Sequence, residues 1–169
     1  MQERVLVVDY DSSTRQALAS VMVTAGYRVV QAADASAVLA ALGEAEPFDL
    51  VVLDYVLGRT SCITLCEAIR GLAFGSDLPI LVLSAQSDAV TQRQVLEAGA
   101  DDFLTKPIHR GELLLRVRSL VKFRKLKLQL AASNELLTQQ HDAILRVQQQ
   151  KDELIEVIVH DLKNPLAAI

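Results

Sequence analysis

The chain has 169 residues, 51% of them apolar and 22% charged, with a net charge of −4. That is enough to bury one ordinary core with an appendage. The acidic balance argues against nucleic acid as the main partner, since binding a phosphate backbone needs a positive face. No apolar stretch approaches the roughly eighteen residues of a membrane span, so a cytoplasmic chain with no membrane contact is expected.

Arg4 to Asp9 reads as a first strand, followed by N-cap candidates in Asp11-Ser12-Ser13-Thr14 and a helix carrying Ala17, Leu18, Val21 and Met22. Ala25-Gly26-Tyr27 closes that helix with a glycine, and Tyr27 to Gln31 makes a second strand. Asp34 caps a helix through Val38, Leu39 and Leu42, and Pro47-Phe48-Asp49 leads into a strand from Leu50 to Asp54. A third helix is expected from about Ser61 to Leu72. Cys62 and Cys66 lie one turn apart on it, and without a histidine cluster they suit core packing better than zinc. Leu78-Pro79 opens the next strand, Asp88 begins a fourth helix that ends at Gly99, and Asp101 to Thr105 forms the last strand. A fifth helix starts near His109. Five βα units with short connections predict a doubly wound α/β domain with a five-stranded parallel sheet.

Four apolar runs stop on side chains that can do chemistry: Val5-Leu6-Val7-Val8 at Asp9, Leu50-Val51-Val52-Leu53 at Asp54, Ile80-Leu81-Val82-Leu83 at Ser84, and Phe103-Leu104-Thr105 at Lys106. In a parallel sheet all four fall on one edge, where ligands bind. Carboxylates, a hydroxyl and an ammonium gathered there suit phosphoryl capture on an aspartate. A carboxylate can attack a phosphoryl donor once the charge on the equatorial oxygens is neutralised.

These pieces, with Ala98-Gly99-Ala100-Asp101-Asp102-Phe103 and Lys106-Pro107, resemble in spacing and order the receiver domain of bacterial response regulators, over residues 1 to about 120. The resemblance implies a flavodoxin-like fold with Asp54 as phosphoacceptor and Asp9 assisting Mg²⁺. Ser84 would hydrogen-bond the phosphoryl group, Lys106 would pair with it, and Ser84 and Phe103 would act as switch residues. The plainer reading of Phe103 is an aromatic covering the sheet edge. Lys106-Pro107 also permits a cis peptide bond.

The chain departs from the family at three places. Tyr10 stands where the receiver has a second metal-binding acid, Gly58 where Pro is common, and Cys62 where Gly is usual. A phenol is a poor ligand for a hard cation, so weakened Mg²⁺ binding is expected, with Asp11 a further candidate ligand whose backbone position points elsewhere.

From Leu113 to Pro165 there is neither Pro nor Gly. With Phe123 at heptad position a, the a and d places are Phe123, Leu126, Leu130, Ser133, Leu137, Gln140, Ile144, Val147, Lys151, Leu154 and Ile158. Eight of these eleven are apolar, which predicts a coiled coil and a parallel homodimer through residues 121–158. The rod would extend about 50 Å at roughly 1.5 Å per residue. The alternative is a helix folded back on its own sheet domain. The basic cluster Lys122, Arg124, Lys125 and Lys127 reads as a solvated face.

Val157 to Leu166 resembles the phosphoacceptor box of sensor histidine kinases. By that resemblance His160 accepts a phosphoryl group from ATP, Asp161 is its base or orienting partner, and Asn164 assists phosphatase chemistry. The expected organisation is therefore a receiver at 1–120, a coiled-coil signalling helix at 121–155 and the start of a phosphoacceptor domain at 156–169. The expected whole is a hybrid histidine kinase, with ATP bound only in a kinase domain beyond this sequence. Its partners would be a phosphodonor kinase or small phosphodonor and a downstream response regulator. The competing expectation is a receiver in which Tyr10 has left only a dimerisation and protein-interaction module.

Overall fold

The structure, a computed structural model, describes residues 2–58 and 60–166, with side chains as far as residue 160. In chain order the elements are β1 (Arg4–Val8), α1 (Ser12–Thr24), β2 (Arg28–Ala32), α2 (Ala35–Leu42), β3 (Leu50–Asp54), β4 (Val56–Leu57), β5 (Thr60–Ser61), α3 (Cys62–Arg70), a 3₁₀ turn (Gly75–Asp77), β6 (Ile80–Ser84), α4 (Ala89–Glu97), β7 (Asp102–Thr105) and α5 (Arg110–Leu166). The chain divides into one compact unit running to Leu126 and a second from Lys127 onward.

The five-stranded sheet has the order β2-β1-β3-β6-β7, with every pairing parallel. Its strands are buried on both faces because their side chains alternate between two cores. Leu6, Val8, Val51, Leu53, Ile80 and Val82 face Val38, Leu42, Leu65, Cys66, Ile69 and Val95 from α2, α3 and α4. Val5, Val7, Leu50, Val52, Leu81 and Leu83 face Leu18 and Met22 of α1 and Leu113, Val117 and Val121 of α5. Both cysteines are free and buried in the first of these cores. Burial pushes the thiols up, Cys62 to about 12 and Cys66 to about 11, which keeps both inert at neutral pH.

The helix starts follow local chemistry. Asp11, Asp34 and Asp88 each cap a helix by accepting from the backbone N–H three residues on. For Asp11 and Asp88 those backbone hydrogen bonds hold the carboxyl below its ordinary range, the Thr14 and Thr91 hydroxyls adding to them, while for Asp34 the Ser36 hydroxyl does more than the Ala37 N–H.

Two features are absent from the sequence reading. The short antiparallel pair β4–β5 follows the third strand, and its turn uses Gly58 at φ +65. Arg124 and Lys125 are not merely solvated. The Arg124 guanidinium lies 2.7 Å from Asp49 Oδ1 and donates to the Asp77 carbonyl, while Lys125 pairs with Glu3. Asp49 Oδ2 also accepts from the Arg4 amide at 2.9 Å. This part of α5 is thereby tied to the amino ends of β1 and β3, opposite the edge that carries the chemistry.

In the second unit α5 continues as helix with its apolar residues exposed, among them Leu130, Leu137, Ile144, Val147, Leu154 and Ile158. Among the described residues no helix is long and apolar enough to cross a membrane.

Candidate functional site

The register of the sheet brings four distant residues to one rim. Val8 lies beside Leu53, Asp54 beside Leu83, and Ser84 beside Thr105, so Asp9, Asp54, Ser84 and Lys106 follow one another across adjacent strand ends. The Lys106 amide donates to the Ser84 carbonyl at 2.7 Å, which extends the ladder by one residue and fixes where the lysine leaves the sheet. The Lys106–Pro107 bond is cis.

Lys106 Nζ lies 2.7 Å from Asp54 Oδ1 and 3.8 Å from Asp9 Oδ2. Asp54 Oδ2 accepts from the Val56 amide at 3.2 Å, and Asp9 Oδ1 from the Asp11 amide at 2.8 Å. Asp9 Oδ2 is buried without a hydrogen-bond partner. Burial pushes the Asp9 carboxyl above its ordinary range. The Asp54 charge adds to this, while the Asp11 amide and the Lys106 ammonium oppose it. Ser84 is buried, with its Oγ accepting from the Gln86 amide at 3.0 Å, and the Gln86 side chain in turn accepts from Thr91. Phe103 is half-buried against the core on the α3–α4 side, the position of an aromatic that covers the sheet edge.

The arrangement places one carboxylate oxygen beside a cation at the sheet's carboxyl edge, with a buried hydroxyl on the next strand. It can present Asp54 as a nucleophile and offer a positive charge to an incoming phosphoryl group.

His160 belongs to the second unit, where it is exposed on α5, and the side chains of Asp161 and Asn164 lie outside the described residues.

A scan of protein families matches the response regulator receiver domain over residues 5–118. The chain belongs to the response regulator receiver family. Among curated relatives, response regulator MprA of Mycobacterium tuberculosis (strain ATCC 25618 / H37Rv) is 42% identical over 123 residues, covering 72% of this chain and 52% of that protein. MprA of Mycobacterium ulcerans (strain Agy99) is 40% identical over 139 residues, covering 82% of this chain and 58% of the relative. The chain thus spans about half the length of these curated relatives. Among solved structures, a response regulator from Chloroflexus aurantiacus J-10-fl is 34% identical with a TM-score of 0.68, covering 72% of this chain and 99% of that one. The chemotaxis response regulator CheY4 of Vibrio cholerae is 28% identical with a TM-score of 0.67, covering 71% and 99%.

Receiver domains generally bind Mg²⁺ at the phosphorylation site. In this receiver the donor set is thin. The orphaned Asp9 Oδ2 is a suitable oxygen, and Asp54 supplies a second carboxylate. Asp11 serves as the α1 cap, its Oδ2 accepting from the Thr14 amide at 2.7 Å and the Thr14 hydroxyl at 2.8 Å. Tyr10 carries no carboxylate and turns its ring to Gly58. Among the described residues, no three histidine, cysteine or acidic side chains are placed to hold a metal ion together. Asp9 and Asp54 would be the carboxylates that hold a divalent cation here, with water completing its shell, and Tyr10 adds no third acid.

Sequence reasoning missed Arg15, whose Nη1 donates to the Asp9 carbonyl at 2.7 Å and to the Tyr10 carbonyl at 3.4 Å. Only its place on the first turn after a capping Asp hinted at a role.

Proposed function

We propose that Asp54 accepts a phosphoryl group from an acyl phosphate or a phosphohistidine, with Lys106 neutralising the transferred charge. The observation that carries this reading is Lys106 Nζ lying 2.7 Å from Asp54 Oδ1 and 3.8 Å from Asp9 Oδ2 at the sheet's carboxyl edge. An Asp54 oxygen forms the new bond to phosphorus as the bond to the donor breaks, and the donor group leaves with the electron pair. Lys106 is already within contact distance of the attacking oxygen, so little reorganisation is needed as charge moves onto the phosphoryl oxygens. The Ser84 hydroxyl, which accepts from the Gln86 amide, can turn to donate to that group. As Ser84 shifts, Phe103 takes up the adjacent space, and the change reaches the surface of α4 and β7.

In the same reading the second unit pairs in parallel with that of another copy, and register changes in the pair regulate a histidine kinase core for which His160 is the phosphoacceptor. Asp161 and Asn164 would assist there. Support comes from the exposed Leu130, Leu137, Ile144, Val147, Leu154 and Ile158, which repeat at heptad spacing. Ser133, Gln140 and Lys151 in the seam would restrict register at a cost in stability.

A second reading rests on Tyr10 and on the capping duty of Asp11. With one metal-binding acid replaced and its neighbour engaged by Thr14, the receiver would be an interaction module that takes no phosphoryl group. Incubation with acetyl phosphate and Mg²⁺ followed by intact mass separates the two. A gain of one phosphoryl group that is lost in Asp54→Ala supports the first, and no gain in the native chain supports the second.

A further inference from the structure

The side chain that replaces the missing acid occupies a defined place. Tyr10 follows Asp9 at the end of β1, and Gly58 follows Asp54 by four residues in the β4–β5 turn. β1 and β3 are neighbours in the sheet, so the loops that follow Asp9 and Asp54 stand side by side. The Tyr10 ring crosses from one loop to the other. A Cβ built on Gly58 would meet its Cδ2 at 3.3 Å and its Cε2 at 3.4 Å, so the ring lies directly on the glycine. Gly58 provides this seat because it has no side chain, and its φ of +65 is the left-handed turn that favours glycine. Arg15 holds the carbonyls of both Asp9 and Tyr10, which fixes the backbone from which the ring departs. Asp9, which precedes Tyr10 in the chain, is 2% exposed and Asp54 6%, while Tyr10 itself is 67% exposed.

We infer that the Tyr10 ring, seated on Gly58, is a shield that takes up the side of the acidic pocket where the water shell of a bound divalent cation would lie. Loading and loss of the phosphoryl group on Asp54 are then largely independent of the metal. The consequence for chemistry rests on Asp54 being the phosphoacceptor; the shield itself does not. Loss of the phosphoryl group requires a water oxygen to bond to phosphorus as the bond to the Asp54 oxygen breaks. The electron pair returns to the carboxylate, and the water's protons leave with inorganic phosphate. A ring spanning both loops restricts the approach of that water as well as of a hydrated cation. Tyr10 is thus a positioning residue that touches neither the phosphorus nor the attacking oxygen.

Two measurements on the full chain test this. The first is Mn²⁺ binding by electron paramagnetic resonance on unphosphorylated protein. Replacing the missing acid is one matter and removing the shield another. Tyr10→Ala adds no ligand, yet it should bind Mn²⁺ at least threefold more tightly than the native chain, while Tyr10→Phe matches the native chain. Equal affinity in Tyr10→Ala and the native chain overturns the shield. The second is the lifetime of the phosphorylated protein, loaded from acetyl phosphate and followed by intact mass with EDTA or Mg²⁺. The native lifetime should change less than twofold between the two conditions. Tyr10→Ala should shorten it about fivefold or more, Tyr10→Phe should restore it, and Tyr10→Asp should make it strongly Mg²⁺-dependent. A native lifetime that collapses on adding Mg²⁺, or one unchanged in Tyr10→Ala, overturns the inference. If no variant takes up a phosphoryl group while the Mn²⁺ order holds, the phosphoacceptor reading fails and the shield stands.

Discussion

Lys106 reaches Asp54 from the end of β7, past the intervening strand β6, and sets its Nζ 2.7 Å from the carboxylate Oδ1. The contact neutralises a nearly buried carboxylate and holds an ammonium where phosphoryl oxygens would arrive. Lys106→Met removes the charge while keeping much of the side-chain volume. Uptake of phosphoryl from acetyl phosphate should fall by about two orders of magnitude, which corresponds to roughly 2.7 kcal/mol in the barrier. Initial rates by intact mass provide the check. An unchanged rate would remove Lys106 from the chemistry.

Asp9 is held in the opposite sense to the helix caps. Burial raises its carboxyl above the ordinary range, so the folded state binds its proton more readily than the unfolded state does. Its contribution to stability therefore declines as pH rises from about 4 towards the raised value. Asp11, Asp34 and Asp88 are lowered, so their contributions are complete above the ordinary carboxylate range and disappear as pH falls through the lowered values. Asp9→Asn should raise Tm at pH 7 by about 4 °C, roughly 1 kcal/mol, and the gain should shrink below pH 5. Thermal unfolding at several pH values tests both sign and trend.

The Arg124–Asp49 pair is mostly shielded from solvent, with side-chain exposures of 12% and 23%. Arg124→Ala leaves Asp49 with the Arg4 amide but without its cation, and the Asp77 carbonyl loses a donor. The expected cost is about 2 kcal/mol in urea unfolding, within the range for charge-assisted hydrogen bonds. A change under 0.5 kcal/mol, on the order of a neutral surface substitution, would contradict this role for the pair.

Ile144 and Leu137 occupy a positions of the expected seam and are exposed in the single chain. If two copies pair through them, each dimer loses two buried side chains on Ile144→Glu, at about 2 kcal/mol apiece before the charge is counted. Self-association should weaken by more than 100-fold, with the sheet domain still folded by circular dichroism. Sedimentation velocity that finds a monomeric native chain, or a dimer indifferent to Ile144→Glu, contradicts the parallel pair.

The sheet was legible because its chemistry is punctuated. Apolar runs such as Leu50–Leu53, set between helical stretches, read as doubly buried strands, and each stops on a polar residue at the same edge. Asp54, Ser84 and Lys106 could therefore be placed together before any distance was known. The β4–β5 pair was not legible, since two-residue strands carry no period and Gly58 alone marks the turn. Arg124–Asp49 joins residues far apart in sequence, so Arg124 looked like one member of a basic cluster. Asp11 offered both a cap and a ligand by composition, and its bonds to Thr14 show the cap. Tyr10 signalled a missing acid, but nothing local in sequence indicated the glycine on which its ring rests.

Peptide mapping of the acetyl phosphate-treated chain shows whether Asp54 takes the phosphoryl group. Reduction of the acyl phosphate with borohydride should convert Asp54 to homoserine in the peptide that contains it, and Asp54→Ala should yield no modified peptide. Homoserine in place of Asp9, a phosphoryl mass on the His160 peptide, or no modification anywhere at saturating donor would show that Asp54 is not the acceptor.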